Sequence, residues 1–312
     1  MTRLQANALL LLAGSIWGMG FIAQAQAMDS IGPYLFIALR FIVACVVVLP
    51  FAIMESRRYS RVDKSGVHKG GQELELSDVL KFCLIGLALF AGMASQQVGL
   101  LSTSVTNSGF LTGLYVVFTP LVAIALYRDM PHVVIWPAAA LSLVGIYLLS
   151  GGDLGALVVG DFLTILSALF WAIQVVLIAR FVGNTGRPLA LSLVQFAVTA
   201  ILAFLVALMT EPIVWEQIVK AAPQIIYTGV FASGVAFTLQ VIGQRYTTAP
   251  QAAIFLSSEA PFAALFAFLW LGERVGVVGI GGCVLIFAAM LLVELFPEWQ
   301  KRRQLNPSSN NG

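Results

Sequence analysis

Long apolar stretches dominate the pattern of the chain. Runs of about 18 to 25 residues with few or no charges recur along it, and about 20 helical residues cross the ~30 Å hydrocarbon core of a membrane. The runs predict ten membrane-spanning helices, at 7–27, 34–54, 79–99, 105–126, 133–150, 160–182, 189–209, 223–243, 249–271 and 276–296. This pattern predicts an all-α integral membrane protein.

Composition and charge agree with that class. Hydrophobic residues make up 59% of the chain and charged residues 10%, against roughly 25% charged in ordinary globular domains, which excludes a soluble fold. With the N-terminus inside, the cytoplasmic segments hold fourteen Lys and Arg residues and the external loops hold two, Lys220 and Arg274. The positive-inside rule therefore predicts that both termini are cytoplasmic.

The chain repeats itself weakly. Trp17 pairs with Trp171, Pro33 with Pro188, and Pro120 with Pro261, in the same order in both halves. We therefore divide the chain into a first five-helix repeat at 1–152, with a cytoplasmic loop at 55–78, a second at 153–300, and a cytoplasmic tail at 301–312. Because five is an odd number, the second repeat must enter the membrane inverted, as in many secondary transporters.

The first apolar run can also be interpreted as a signal peptide, since Arg3 precedes it and Ala25-Gln26-Ala27 is typical of a cleavage site. The repeat favours a span, because it gives this helix a counterpart in the second half. The three cysteines lie far apart in separate spans, so no disulfide is predicted. The two histidines lie in loops without a ligand-binding motif, so no metal or cofactor is predicted either. These residues are Cys45, Cys83, Cys283, His68 and His132.

Several motifs resemble those of one transporter family. They are IWGMGF at 16–21, ALRF at 38–41, SGFLTGLYVVFTPL at 108–121, SSEAPFAALFAFLWLGE at 257–273 and GGCVLI at 281–286. Together they resemble the EamA family of the drug/metabolite transporter (DMT) superfamily, over essentially all ten helices. The chain departs from that family at Ala289, where a second glycine is usual, and at YRDMP (127–131), where the first half lacks the GE pair.

Polar and aromatic residues form stripes at helical spacing, which mark the faces directed away from lipid. For Ser and Thr the alternative is close helix packing. Glutamine amides need partners that an apolar helix cannot supply, and an aromatic-walled cavity with a few amides suits an amphipathic organic solute. The predicted cavity residues are Trp17, Gln24, Gln96, Thr112, Tyr115, Trp171, Gln174, Gln240, Phe255 and Ser258.

Two charged residues lie inside predicted spans. Glu259 is the only carboxylate near the middle of a span, and Arg40 lies in the second helix. Two hypotheses stay open: Glu259 couples transport to a proton or orients a cationic part of the solute, or it forms a structural ion pair with Arg40. Pro120 and Pro261 predict kinks in their helices.

The resemblance implies a secondary transporter, more an exporter than an importer, that moves metabolites or drug-like solutes across the bacterial inner membrane by alternating access. The chain has no GxxxxGK[ST] phosphate loop. The alternatives are an integral membrane enzyme, which would normally show clustered His, Asp or Glu, and a channel. Expected partners are a small-molecule substrate, the lipid bilayer and a proton or exchange substrate, with a homodimer as an option and no nucleic acid. The substrate stays open.

The charge asymmetry makes the topology testable. Reporter fusions after Arg303 and within 55–78 should report the cytoplasm, and a fusion within 152–155 should report the outside. An external C-terminus would contradict the ten-span topology, and a mature N-terminus near Met28 would reveal a signal peptide instead.

Overall fold

The computed structural model describes residues 1–59, 74–103, 105–150, 157–266, 268–269 and 276–305. Some of the predictions fall on residues outside these ranges. They concern loop residues 60–73, the repeat boundary at 152–153, the LGE motif at 271–273 and tail residues 306–312.

The described chain is helical, and no strand occurs in it. Eight of its helices are long and apolar enough to cross a membrane, and Ile135–Leu149 is a shorter apolar helix. The predicted all-α membrane fold is therefore confirmed. We label the segments α1 (Arg3–Ala27), α2 (Pro33–Tyr59), α3 (Leu76–Gly99), α4a (Val105–Thr112), α4b (Tyr115–Tyr127), α5 (Ile135–Leu149), α6 (Val159–Thr185), α7 (Pro188–Thr210), α8 (Ala222–Gln244), α9a (Ala249–Leu256), α9b (Glu259–Phe266) and α10 (Val277–Leu305).

Helices α4 and α9 are each broken into two pieces, at 113–114 and at 257–258. The sequence predicted continuous helices kinked at Pro120 and Pro261, whereas both breaks precede the prolines. Pro261 explains the second break, because a proline ring clashes with the carbonyl four residues earlier, which belongs to Ser257. Pro261 then lies in the first turn of α9b, where its missing N–H leaves no helical hydrogen bond unmade.

Helices α2 and α7 pack against each other, and each caps the other. The Glu55 carboxylate, near the end of α2, accepts hydrogen bonds from the Leu189 and Ala190 N–H groups at 3.2 and 2.9 Å. The Glu211 carboxylate, directly after α7, accepts bonds from the Tyr34 and Leu35 N–H groups, both at 2.8 Å. A carboxylate is the favoured partner of a helix N-terminus. The reciprocal caps join the two helices at both ends.

Glycines bring other helix pairs into backbone contact. A Cβ atom on Gly145 of α5 would lie 2.6 Å from the Gly282 carbonyl oxygen of α10, and a Cβ atom on Gly282 would overlap the Gly145 carbonyl in turn. Gly18 of α1 allows similarly close contact with α9b, and Gly14 does so with Ser258 and with the end of α9a at Leu256. In a membrane, small residues of this kind let helix backbones approach and gain dispersion energy.

The middle of α8 departs from α-helical geometry. Residues Thr228–Phe237 form a ten-residue π-helical segment, whereas the sequence predicted an ordinary helix at 223–243. One π-helical turn is wider than an α-helical turn and releases backbone carbonyls, and such segments occur often at functional sites. Gly229 packs against the Arg40 carbonyl of α2, 2.9 Å from where its Cβ atom would lie, so the segment lies close to α2.

Two adjacent glycines of α10 test the backbone contact. Gly282→Ala places a methyl group against the Gly145 backbone, and overpacking of this kind costs about 1–3 kcal/mol. Gly281, by contrast, has no atom within 4 Å of where its Cβ atom would lie. We expect Gly282→Ala to lower the unfolding temperature of the detergent-solubilised protein and Gly281→Ala to leave it unchanged. Equal effects of the two substitutions would contradict the packing described here.

Candidate functional site

A central cavity of about 50 Å³ lies between the two halves of the chain. Helices α1, α2, α3 and α4 of the first half and α6, α8 and α9 of the second contribute side chains to it. The predicted site residues that line it are Trp17, Gln24, Arg40, Gln96, Thr112, Tyr115, Trp171, Gln240 and Glu259. Residues from seven helices, selected by helical spacing or as charges inside predicted spans, therefore meet at one place.

An aromatic cluster forms one wall of the central cavity. The Phe237 ring lies 4.7 Å from the Trp17 ring and stacks on the Trp171 ring at 5.7 Å, with 17° between the planes. Phe237 ends the π-helical segment, and the Trp17 indole N–H donates to the Ala232 carbonyl of that segment at 2.7 Å. Gly92 of α3 leaves room for the Trp171 indole, whose ring atoms lie 3.4 Å from where a Cβ atom would be. The two tryptophans paired by the repeat thus share one aromatic neighbour.

Glutamine amides form a second wall. Gln240 donates through Nε2 to Gln174 Oε1 at 3.1 Å, and Gln174 donates to Gln195 Oε1 at 3.2 Å. On the other side, Gln96 donates to Thr112 Oγ1 at 2.8 Å. These side-chain bonds fix the amide orientations across four helices, so that the remaining amide atoms are presented in defined directions.

Three buried polar atoms of the cavity residues have no hydrogen-bond partner in the described protein. They are Tyr115 Oη, Trp171 Nε1 and Gln240 Oε1. Two can donate a hydrogen bond and two can accept one, because a phenol does both. A buried polar group without a partner costs about 1–3 kcal/mol. A bound molecule that supplies matching groups would recover that free energy.

Arg40 is 2% exposed and is held by neutral groups. Its Nε donates to Ser233 Oγ and its Nη1 to Gln24 Oε1, both at 2.9 Å. The guanidinium also lies 5.3 Å from the Phe41 ring centroid. No carboxylate lies within 4 Å of Arg40 in the described chain, and the ion pair with Glu259 hypothesised from the sequence is not formed. The positive charge therefore borders the cavity without a balancing anion.

Glu259 is the first residue of α9b and is 8% exposed. Its position beside the break places it at a helix N-terminus, where the helix dipole favours a negative charge. Like Arg40, it lines the central cavity, and within the described residues it has no ion-pair partner. The cavity thus carries one group of each charge on separate walls.

The structure places three predicted cavity residues elsewhere. Gln174 does not line the cavity but accepts a hydrogen bond from Gln240, which does. Phe255 packs against the apolar core, and Ser258 faces Gly14 of α1. Five further residues line the cavity but were not among the candidates: Phe21, Met93, Val175, Phe237 and Leu256. Phe21 and Phe237 lie on the same helical stripes as Gln24 and Gln240, which was the available signal, whereas the other three are ordinary apolar residues of apolar helices.

Comparison with known proteins identifies relatives of the whole chain. The model of the EamA-like transporter family matches residues 4–151 and again residues 158–295. A protein of Archaeoglobus fulgidus named "Uncharacterized transporter" is 33% identical over 293 residues, which is 94% of this chain and 87% of the relative. A second "Uncharacterized transporter", from Methanothermobacter thermautotrophicus, is 24% identical over 302 residues, with the same coverage of both chains.

A solved crystal structure has a similar fold. It aligns with a TM-score of 0.75 over 95% of this chain and 98% of the other, at 17% sequence identity. At that identity the likeness concerns the fold alone.

Thiol labelling tests which residues face the cavity. In a background in which Cys45, Cys83 and Cys283 are replaced by serine, we expect Gln240→Cys to react with a small water-soluble thiol reagent. Ser258→Cys should stay unreactive, because Ser258 is buried against α1. Equal labelling rates at the two positions, or an inert Gln240→Cys in all conditions, would contradict the cavity lining.

Proposed function

Because the chain belongs to the EamA-like transporter family, we propose that it is a secondary transporter that binds its solute in the central cavity. The observation that carries this proposal is the cavity itself. It lies between the two halves, it has an aromatic wall, and it presents unpaired polar and charged groups. A cavity at the interface of two repeats is where secondary transporters place their substrate site.

The wall chemistry points to an amphipathic organic solute. The tryptophans Trp17 and Trp171 with Phe237 offer an aromatic surface, against which an aromatic group gains about 0.5–1.5 kcal/mol per ring pair. Tyr115 and Gln240 supply hydrogen-bonding atoms. The volume of about 50 Å³ is below the ~300–1,000 Å³ typical of small-molecule sites, so the cavity must widen to take up a whole solute.

The charges refine the solute class. A charged group at the membrane centre costs at least about 2.5–3.5 kcal/mol, and Arg40 has no anionic partner in the described residues. An anionic group of the solute, such as a carboxylate or phosphate, would balance it. Glu259 would then take a proton or a cationic group of the same solute. A metabolite or drug-like molecule with both apolar and ionic parts would complement the aromatic, hydrogen-bonding and charged groups of the cavity.

Transport follows by alternating access. The two five-helix halves are inverted repeats, and rocking one half against the other opens the site to each side in turn. The broken helices α4 and α9 carry Tyr115 and Glu259 directly after their breaks, so that movement at a break displaces a residue of the site. Export from the cytoplasm across the bacterial inner membrane, with both termini inside, is the direction we propose.

Reconstitution tests the function. Purified protein in liposomes loaded with a panel of amphoteric metabolites should mediate saturable efflux and exchange of at least one of them. Saturation and exchange distinguish a transporter from a channel, whose flux shows neither. Failure to move any solute, or flux without saturation or exchange, would overturn the proposal.

Glu259→Gln tests the coupling role. If Glu259 carries the coupling proton, a pH gradient should no longer drive accumulation in the mutant, while downhill exchange persists. Glu216→Gln, on an exposed short helix, is the matched control and should behave as wild type. The measurement is solute uptake in proteoliposomes with and without the pH gradient.

Two other outcomes would give Glu259 a different role. Loss of exchange for solutes with a cationic group, and not for neutral analogues, would favour a role in binding that group. Unchanged pH-driven accumulation in a well-folded mutant would eliminate proton coupling by Glu259.

A further inference from the structure

A second cavity lies near the chain termini. This terminal groove has a volume of about 680 Å³, and Ala249, Pro250 and Gln251, at the start of α9a, line part of it. Leu256, the last residue of the same helix, lines the central cavity. The eight-residue helix α9a therefore reaches from the groove to the candidate solute site.

The wall between the two cavities is apolar. On α6, Val175 lines the central cavity and the next residue, Val176, lines the terminal groove. Ala252 and Ala253 of α9a are fully buried in the same apolar cluster as these valines. Because residues of α9a line both cavities, a displacement of this helix is the movement that would join them.

Both pieces of α9 pack against α1, α9b more extensively than α9a. A Cβ atom on Gly18 of α1 would lie 2.6 Å from the Ala263 nitrogen and 2.8 Å from the Glu259 oxygen, so α9b is in backbone contact with α1. Between α9b and α9a lie Ser257 and Ser258, which form a turn rather than helix. A short break between two helical pieces is the kind of segment that absorbs a hinge rotation.

Polar contacts hold the N-terminal end of α9a in place. Gln251 accepts a hydrogen bond from Arg3 Nη2 at 2.7 Å and donates one to Glu294 Oε2 at 3.1 Å. Arg3 Nε also lies 3.5 Å from the same Glu294 oxygen. These contacts tie α9a to α1 and α10. Because Arg3 and Glu294 are partly exposed, such contacts are weak enough to break and re-form.

We propose that α9a is the gate between the terminal groove and the central cavity. It turns about Ser257 and Ser258, and its closed position is held by the contacts of Gln251 with Arg3 and Glu294. This gate rests on the transport function proposed above, and it assigns the solute's route on the side of the termini.

A cross-link tests the gate. In the background without native cysteines, Thr112→Cys reports access to the central cavity. Gln251→Cys with Glu294→Cys fixes α9a to α10 when oxidised to a disulfide. In inside-out vesicles, we expect the disulfide to slow labelling of Thr112→Cys by a membrane-impermeant thiol reagent at least tenfold. Reduction of the disulfide should restore the rate.

The matched control is a disulfide between Glu55→Cys and Leu189→Cys. It joins α2 to α7 where the structure already joins them by a cap, so it should leave the labelling rate unchanged. A second variant, Glu294→Gln, weakens the hold on Gln251 and should raise the labelling rate severalfold without any cross-link.

An unchanged labelling rate in the Gln251–Glu294 disulfide, equal slowing by both disulfides, or no increase with Glu294→Gln would each overturn the gate. The labelling assay needs no solute. If labelling behaves as expected and wild-type protein moves no solute, the gate stands and the transport function fails.

Discussion

Polar groups inside a membrane protein must find their partners within the chain, because hydrocarbon offers none. This constraint explains the contacts between the helices. The first backbone N–H groups of α2 and α7 are satisfied by Glu211 and Glu55, each carried by the opposite helix. The amides of Gln240 and Gln174 are satisfied in series. Where partners are missing around the central cavity, as at Tyr115 and Trp171, the same constraint indicates a ligand.

The π-helical segment of α8 connects the aromatic, polar and charged parts of the site. Its Ala232 carbonyl accepts the Trp17 indole N–H, its Ser233 hydroxyl accepts from Arg40, and its last residue, Phe237, contacts both tryptophans. A regular α-helix would rotate successive side chains by about 100°, so these contacts depend on the altered winding. The repeats are consequently unequal at the site. Arg40 and Gln195 each lie seven residues after the paired prolines Pro33 and Pro188, but Gln195 hydrogen-bonds to Gln174.

The sequence predicted much of this arrangement and missed identifiable parts of it. Span length and charge predicted the membrane fold, and helical spacing selected Trp17, Trp171 and Gln240, because a stripe of costly polar groups must face away from lipid. Spacing cannot show which polar group bonds to which. Of the two hypotheses for Glu259, the ion pair with Arg40 is not formed. Nor could spacing separate Val175 from other apolar residues, since burial in a cavity and burial in a helix interface leave the same pattern. The π-helical winding has no periodic signal over ten residues.

The account depends on the solute lying between the two halves, and a structure of the protein with a transported solute tests this most directly. We expect the solute in the central cavity, with its apolar part against Trp17, Trp171 and Phe237 and an anionic group within hydrogen-bonding distance of Arg40. A solute found only in the terminal groove would contradict the account. So would a solute in the central cavity that makes no contact with Arg40, whose only hydrogen bonds would then be those to Gln24 and Ser233.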